Sequence, residues 1–177
     1  MANKVIAYLA LGSNVGDRMA FLTKAREALI KSKKIEIIKS SKIYETEPWP
    51  RNKLPNDHPH EEGGQKWFLN QVIEIETTLS PQELIQEAGA IEERIGRIVR
   101  GSWGAREIDI DILLYAGEIM DTPDLQIPHR HIQDRQFVLV PLVEIAPDLI
   151  DPMTHRKFSD MLEEIKIRDD HKVIPFL

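Results

Sequence analysis

The chain has 177 residues, 42% of them apolar and 29% charged. That composition excludes a disordered chain and supports a single globular domain over residues 1–177 with a sizeable core. Its formal net charge is −6 and its pI is near 5.5, which disfavours broad binding to nucleic acid or to an anionic membrane but leaves room for a local basic pocket. The absence of cysteine excludes disulfides, thiolate metal sites and a cysteine nucleophile.

Lys4 to Leu11 is apolar on both faces, as in a strand covered on both sides. The run is too short to span a bilayer and ends at a polar Gly-Ser-Asn turn. A cytoplasmic protein is therefore expected. A helix follows from about Asp17 to Lys31, with Phe21, Leu22, Ala25, Ala28 and Leu29 on one stripe. "IEIIKSSKIYETE" predicts a second strand, Ile35 to about Glu45. The loop from Pro48 to Lys66 is long for a compact domain, and loops of that size usually serve function.

"WFLNQVIEIETT" predicts a third strand, with Leu69, Ile73 and Ile75 on one face and Phe68, Asn70 and Val72 on the other. "SPQE" opens a second helix: Ser80 is the N-cap, Pro81 the first helical residue, and Glu83 completes a capping box. Leu84, Ala88, Ile91 and Ile95 continue one face, and Gly96 ends it. "AREIDIDILLY", Ala105 to Tyr115, predicts the fourth strand. Beyond it come an irregular stretch to Gln133, a partly helical apolar segment, "FVLVPLVEIAP", and a short amphipathic helix after Ser159. The order β-α-β-β-α-β predicts an α+β, ferredoxin-like sandwich, with two helices on one face of four strands and a C-terminal extension.

Aspartate is a poor strand former, so Asp109 and Asp111 ask for a reason. Two residues apart on a strand, they lie on one face with Cα atoms roughly 6.6 Å apart. Two Mg²⁺ ions about 3.5–4 Å apart, bridging phosphate oxygens, fit between such carboxylates. A bare D-x-D is more often the solvated face of a half-buried strand. Here Arg97, Arg100 and Arg106 precede it, and guanidinium forks suit phosphate. Carboxylates for a metal and arginines for phosphates together make a metal–polyphosphate site. "PHRH" adds His129 and His131 beside Arg130 and Arg135. His58 and His60 lie in the long loop, where solvation is the simpler reading. "LGSNVGDR" is glycine-rich, but the chain contains no G-x-x-x-x-G-K-[ST].

Five segments in order, "ALGSNVGD" (10–17), "SKIYETEP" (41–48), "FLNQVIEIET" (68–77), "WGAREIDIDILLY" (103–115) and "IPHRHIQDRQFVLVPLVEIAPDL" (127–149), resemble the 6-hydroxymethyl-7,8-dihydropterin pyrophosphokinases of folate biosynthesis. The resemblance implies a ferredoxin-like fold and transfer of pyrophosphate from ATP to the pterin hydroxymethyl group, with release of AMP. It implies that Asp109 and Asp111 hold two Mg²⁺ ions on ATP as co-substrate. Phe68 and Phe137 would sandwich the pterin, Asn70 would bond its edge, and Thr46 and Trp49 would supply further pterin contacts. Arg97 and Arg106 match arginines that contact phosphates or assist transfer. Glu92, Trp103, Ile112, His129 and Arg135 fall with the nucleotide contacts.

The chain departs from the family's pattern at Ala105, where proline is common, and in the longer 48–66 loop. His58, His60 and His131 have no counterpart. The loops at 46–66 and 97–105 are expected to close over ATP. A Mg²⁺ ion contacting the pterin hydroxyl would ease its deprotonation, since no general base is evident. The partners expected are ATP and the pterin, with no nucleic acid, no membrane and a monomeric state. Two alternatives carry different chemistry. A polymerase-β-like nucleotidyltransferase pairs a Gly-Ser turn with a nearby D-x-D, yet Gly12 and Asp109 are far apart in this chain. A non-catalytic ferredoxin-like binding module would want a basic, aromatic-studded sheet face.

Overall fold

The computed structural model describes residues 3–48, 67–98 and 106–176. The expectations for Trp49, Trp103, Arg100, Ala105, His58, His60 and nearly all of the long loop fall outside them. The strands are β1 (Val5–Ser13), β2 (Ile35–Ser40), β3 (Tyr44–Thr46), β4 (Phe68–Thr77), β5 (Asp109–Tyr115), β6 (Met120–Asp121), β7 (Gln126–Ile127) and β8 (Val173–Pro175). The helices are α1 (Arg18–Lys31), α2 (Pro81–Ile95), α3 (Gln136–Ile145) and α4 (Phe158–Arg168).

The main sheet is antiparallel, in the order β5-β1-β4-β3-β8, with β2 pairing the same edge of β4 as β3. The expected single strand from Ile35 to Glu45 is thus two short strands along one neighbour. Ser41 breaks it: its backbone N–H donates to the Val72 carbonyl and its Oγ accepts from the Val72 N–H.

Local sequence chemistry sets the helix ends. Asp17 caps α1 by accepting from the Ala20 N–H at 3.0 Å. In α2, Ser80 Oγ accepts from Glu83 N–H and the Glu83 carboxylate accepts from Ser80 N–H, a reciprocal box. Gly96 ends α2 with φ 101°, a left-handed conformation that a side chain resists.

The sheet is covered on both faces, where the sequence reading placed helices on one. Leu22, Ala25 and Leu29 of α1 and Leu84, Ala88 and Ile91 of α2 pack on Leu9, Leu11, Ile73, Ile75, Ile110 and Ile112. On the opposite face, α3 and α4 bury Val138, Leu139, Leu142, Phe158, Met161 and Leu162 against Val72, Leu113 and Leu114. The two-faced apolarity of β1 needed this second layer. α3 tolerates Pro141 inside it, which is why "FVLVPLVEIAP" reads as only partly helical from sequence.

The fourth strand is shorter than expected, since Arg106 to Ile108 stand outside it. Its register against β1 also jumps: Ile112 pairs with Leu9, but Leu114 pairs with Tyr8. Leu113 is the extra residue of a bulge. Leu113 and Leu114 therefore both join the α3–α4 layer. Tyr115 turns to the other face and donates its hydroxyl to the Leu79 carbonyl at 2.7 Å.

Phe158 is fully buried between α4 and the sheet. Phe158→Ala should lower unfolding free energy by about 3–5 kcal/mol, read as a shifted urea midpoint. Ser80→Ala, which removes one cap, should cost only about 1 kcal/mol.

Candidate active site

β1 lies at the centre of the site. Gly12 pairs with Asn70 of β4 on one side and with Asp109 of β5 on the other. Ala10, two residues earlier, pairs with Val72 and Asp111. Asn70, Asp109 and Asp111 therefore share the face that α3 and α4 only partly cover. A Cβ on Gly12 would stand 2.9 Å from Asn70 Oδ1, so glycine keeps room for that amide. Asn70 Nδ2 donates to Thr46 Oγ1 at 2.6 Å, fixing the amide from the β3 side. Phe68 is half-buried beside them on the same face of β4.

The aspartates are not bare strand carboxylates. Arg97, immediately after the Gly96 cap, reaches Asp109 at 3.0 Å and also pairs with Glu92. Arg106 forms a second ion pair with Asp109. Glu92 is nearly buried, and its Oε1 accepts from the Ile110 N–H at 2.7 Å. Burial raises the Glu92 pKa, against the lowering by that N–H and by Arg97. Glu92 thus ties α2 to β5 and orients Arg97 from behind.

Asp111 keeps 37% of its side chain exposed. The surrounding protein, then the Asp109 charge, push its pKa up, and Arg135 and Arg106 pull it down. Arg135 Nη1 lies 3.9 Å from Asp111 and His129 Nε2 lies 3.8 Å away. The His131 backbone N–H donates to His129 Nδ1 at 3.2 Å, which leaves Nε2 as the protonated nitrogen of a neutral ring. Burial, then the Arg135 and His131 charges, lower the His129 pKa to about 4. His129 therefore faces Asp111 as a neutral donor at pH 7.

The donor set fits Mg²⁺ bound with phosphate. It offers two carboxylates from one strand face, and the described residues hold no cluster of three or more His, Cys, Asp or Glu that could cage an ion. Mg²⁺ typically takes one or two carboxylates plus substrate phosphates. Two like charges whose repulsion raises a pKa also favour a cation between them.

The structure brings together Asp109, Asp111, Arg97, Arg106, Glu92, His129 and Arg135 around the start of β5. It groups Thr46, Asn70 and Phe68 on the β3–β4 side. Phe137 stands half-buried on the first turn of α3, with the Arg135 guanidinium 5.6 Å from its ring centre. Ile112 differs: its side chain is 4% exposed inside the α1–α2 core, so only its backbone can meet a nucleotide.

Two residues here escaped the sequence reading. Asn14 bonds Arg106 twice through its backbone N–H and Oδ1, at 3.0 and 2.7 Å. Its Nδ2 is buried with no hydrogen-bond partner among the described residues. Its place directly after Gly-Ser was the available signal. Glu107 accepts from Ile98 N–H at 3.0 Å and holds the α2 exit. It is structural, although it alternates with the aspartates.

The 7,8-dihydro-6-hydroxymethylpterin-pyrophosphokinase family model matches residues 8–147. A 2-amino-4-hydroxy-6-hydroxymethyldihydropteridine pyrophosphokinase of Methylorubrum extorquens is 42% identical over 144 residues, covering 81% of this chain and 84% of that protein. One from Aquifex aeolicus is 40% identical over 157 residues, covering 89% and 90%. The crystal structure of Plasmodium falciparum HPPK-DHPS wild type with pteroate superposes with a TM-score of 0.71 at 17% identity. It covers 96% of this chain, which spans 46% of that longer protein, and it speaks to the fold alone. By sequence, over most of its length, the chain belongs to the 7,8-dihydro-6-hydroxymethylpterin-pyrophosphokinase family.

Proposed function

We infer that the site carries out the family's reaction with a division of labour set by the sheet. The chain transfers the pyrophosphoryl group of ATP to the hydroxymethyl group of 6-hydroxymethyl-7,8-dihydropterin, in folate biosynthesis. Neither the nucleotidyltransferase nor the non-catalytic module is favoured beside that match. The hydroxyl oxygen attacks the β-phosphorus and gives up its proton to solvent, the bond to the α,β-bridging oxygen breaks, and AMP leaves with the electron pair. Such transfer needs positioning and charge neutralisation more than covalent help from the protein.

The observation that carries the residue assignment is the Asp109–Asp111 pair ringed by Arg97, Arg106, Arg135 and neutral His129. Asp109 and Asp111 would hold two Mg²⁺ ions. Bound there, the metal neutralises charge on the phosphates. The arginines now paired with Asp109 are the groups to turn toward phosphate oxygens, and Glu92 keeps Arg97 at hand. Arg135 and His129 Nε2–H would bind phosphate from the Asp111 side. Asn70, braced by Thr46, would read the pterin edge, and Phe68 and Phe137 would stack on its faces.

The strand order, with α1 and α2 as crossovers, supports a ferredoxin-like core extended by α3, α4 and β8. Both substrates are small and water-soluble, which supports a cytoplasmic setting. A monomer is the expected state. Among the described residues no helix is long and apolar enough to cross a membrane.

The deciding assay is AMP release from ATP and the pterin, with and without Mg²⁺. Chelation should abolish it and added Mg²⁺ should restore it. Asp109→Ala and Asp111→Ala should each cut kcat more than about ten-fold, or 1.4 kcal/mol of barrier. A variant keeping over a tenth of the rate would remove that residue from the metal role. Gly12→Ala places its Cβ against Asn70 Oδ1. It should raise the pterin KM several-fold while the ATP KM stays near wild type. Equal changes in both constants would count against the Asn70 reading.

A further inference from the structure

The family model ends at residue 147, and the chain beyond it returns to the site. After α4, residues 169–176 run as a strap past the N-terminus of α3 and along β3. The strap is anchored at its start. Gln136 Nε2 donates to the Asp169 carbonyl at 2.5 Å. Asp169 Oδ1 accepts from the His171 N–H at 3.1 Å, a local turn that fixes where His171 leaves the backbone. Further on, Lys172 N–H donates to Glu47 Oε2 at 3.1 Å, and Glu47 N–H donates to the Lys172 carbonyl at 3.4 Å. Val173 of β8 then pairs with Thr46 of β3.

The side chain of His171 is not a surface group. It is 5% exposed, and its ring lies 6.0 Å from that of Phe137 at an interplanar angle of 43°. That separation falls within the range of tilted aromatic pairs. Phe137 is thus flanked by His171 and by the Arg135 guanidinium. One short segment contacts both Phe137 and, through β8, the strand that carries Thr46. The carboxylates of the phosphate half lie elsewhere, on β5.

We propose that His171 is a positioning residue for pterin recognition, setting the tilt of the Phe137 ring on which the pterin stacks. This rests on the reading of Phe137 as a stacking partner. A half-buried ring on the first turn of a helix has rotamer freedom to lose on binding. A fixed flat neighbour removes that freedom beforehand, so the ligand meets a preorganised platform. Planarity and size matter for this role. A phenylalanine at 171 keeps them and an alanine does not.

The test compares the full-length wild type, His171→Ala, His171→Phe and Phe137→Ala by AMP release, with KM for each substrate, kcat and thermal midpoint. His171→Ala should raise the pterin KM about three- to ten-fold. Its ATP KM and kcat should stay within about two-fold, and His171→Phe should restore the pterin KM. An unchanged pterin KM in His171→Ala, with a raised one in Phe137→Ala, would overturn the role of His171 alone. A parallel rise in both KM values with a lowered midpoint, not rescued in His171→Phe, would reduce His171 to fold support and overturn it too. An unchanged pterin KM in Phe137→Ala would overturn the stacking reading and this inference together.

Discussion

The antiparallel register of β1 is the constraint on which the site depends. Gly12 stands between Asn70 and Asp109 in one row across three strands. Adjacent strands are about 4.8 Å apart, so the Asn70 amide, the group proposed to read the pterin edge, and the first carboxylate are held roughly 10 Å apart at backbone level. A slip of one residue would turn Asn70 or Asp109 to the opposite face. Leu9, Leu11, Ile73 and Ile110 oppose that slip, because each would leave the α1–α2 core. The same alternation that buries isoleucine presents aspartate.

Electrostatics then gives each half of the site its character. Asp109 is held by two guanidinium groups and Asp111 by longer contacts to Arg135 and a neutral imidazole. Glu92, bound to the Ile110 N–H, makes α2 part of the site although its apolar face serves the core. Arg97, Arg106 and Arg135 each act on both carboxylates. Phosphate and metal, bound there as proposed, would exchange partners within one cluster.

The second layer does more than cover the sheet. α3 carries Phe137 at its first turn and contributes Glu144, which accepts from the Tyr44 hydroxyl at 2.9 Å and the Lys42 N–H at 3.0 Å. α3 is therefore tied to the β3 edge, where Thr46 braces Asn70. The strap after α4 closes the same circuit from the other end through Glu47 and Val173. The proposed pterin side of the site is thus built from β3, β4 and α3, with the C-terminal segment alongside. The proposed phosphate side is built from α2, β5 and the 129–135 turn.

Local chemistry in the sequence determined the helix limits, since Asp17, Ser80, Pro81, Glu83 and Gly96 act through bonds to their own neighbours. It also determined which strand faces are apolar, and it put Asp109 and Asp111 on one face, because the pleat has a period of two. It did not reveal that Ser41 divides the second strand or that Leu113 is a bulge. Both depend on which partner strand lies alongside. The two-sided cover of the sheet was hidden for a related reason: an apolar strand records that a layer is needed, not which helix supplies it. Only the tertiary structure decided that Glu107 supports the α2 exit while Asp109 and Asp111 face the site. It alone tied Asn14 to Arg106 and brought His171 against Phe137 across 34 positions of chain. Spacing along one strand or helix is written in the sequence. Contacts between distant segments come from packing, and no local pattern encodes them.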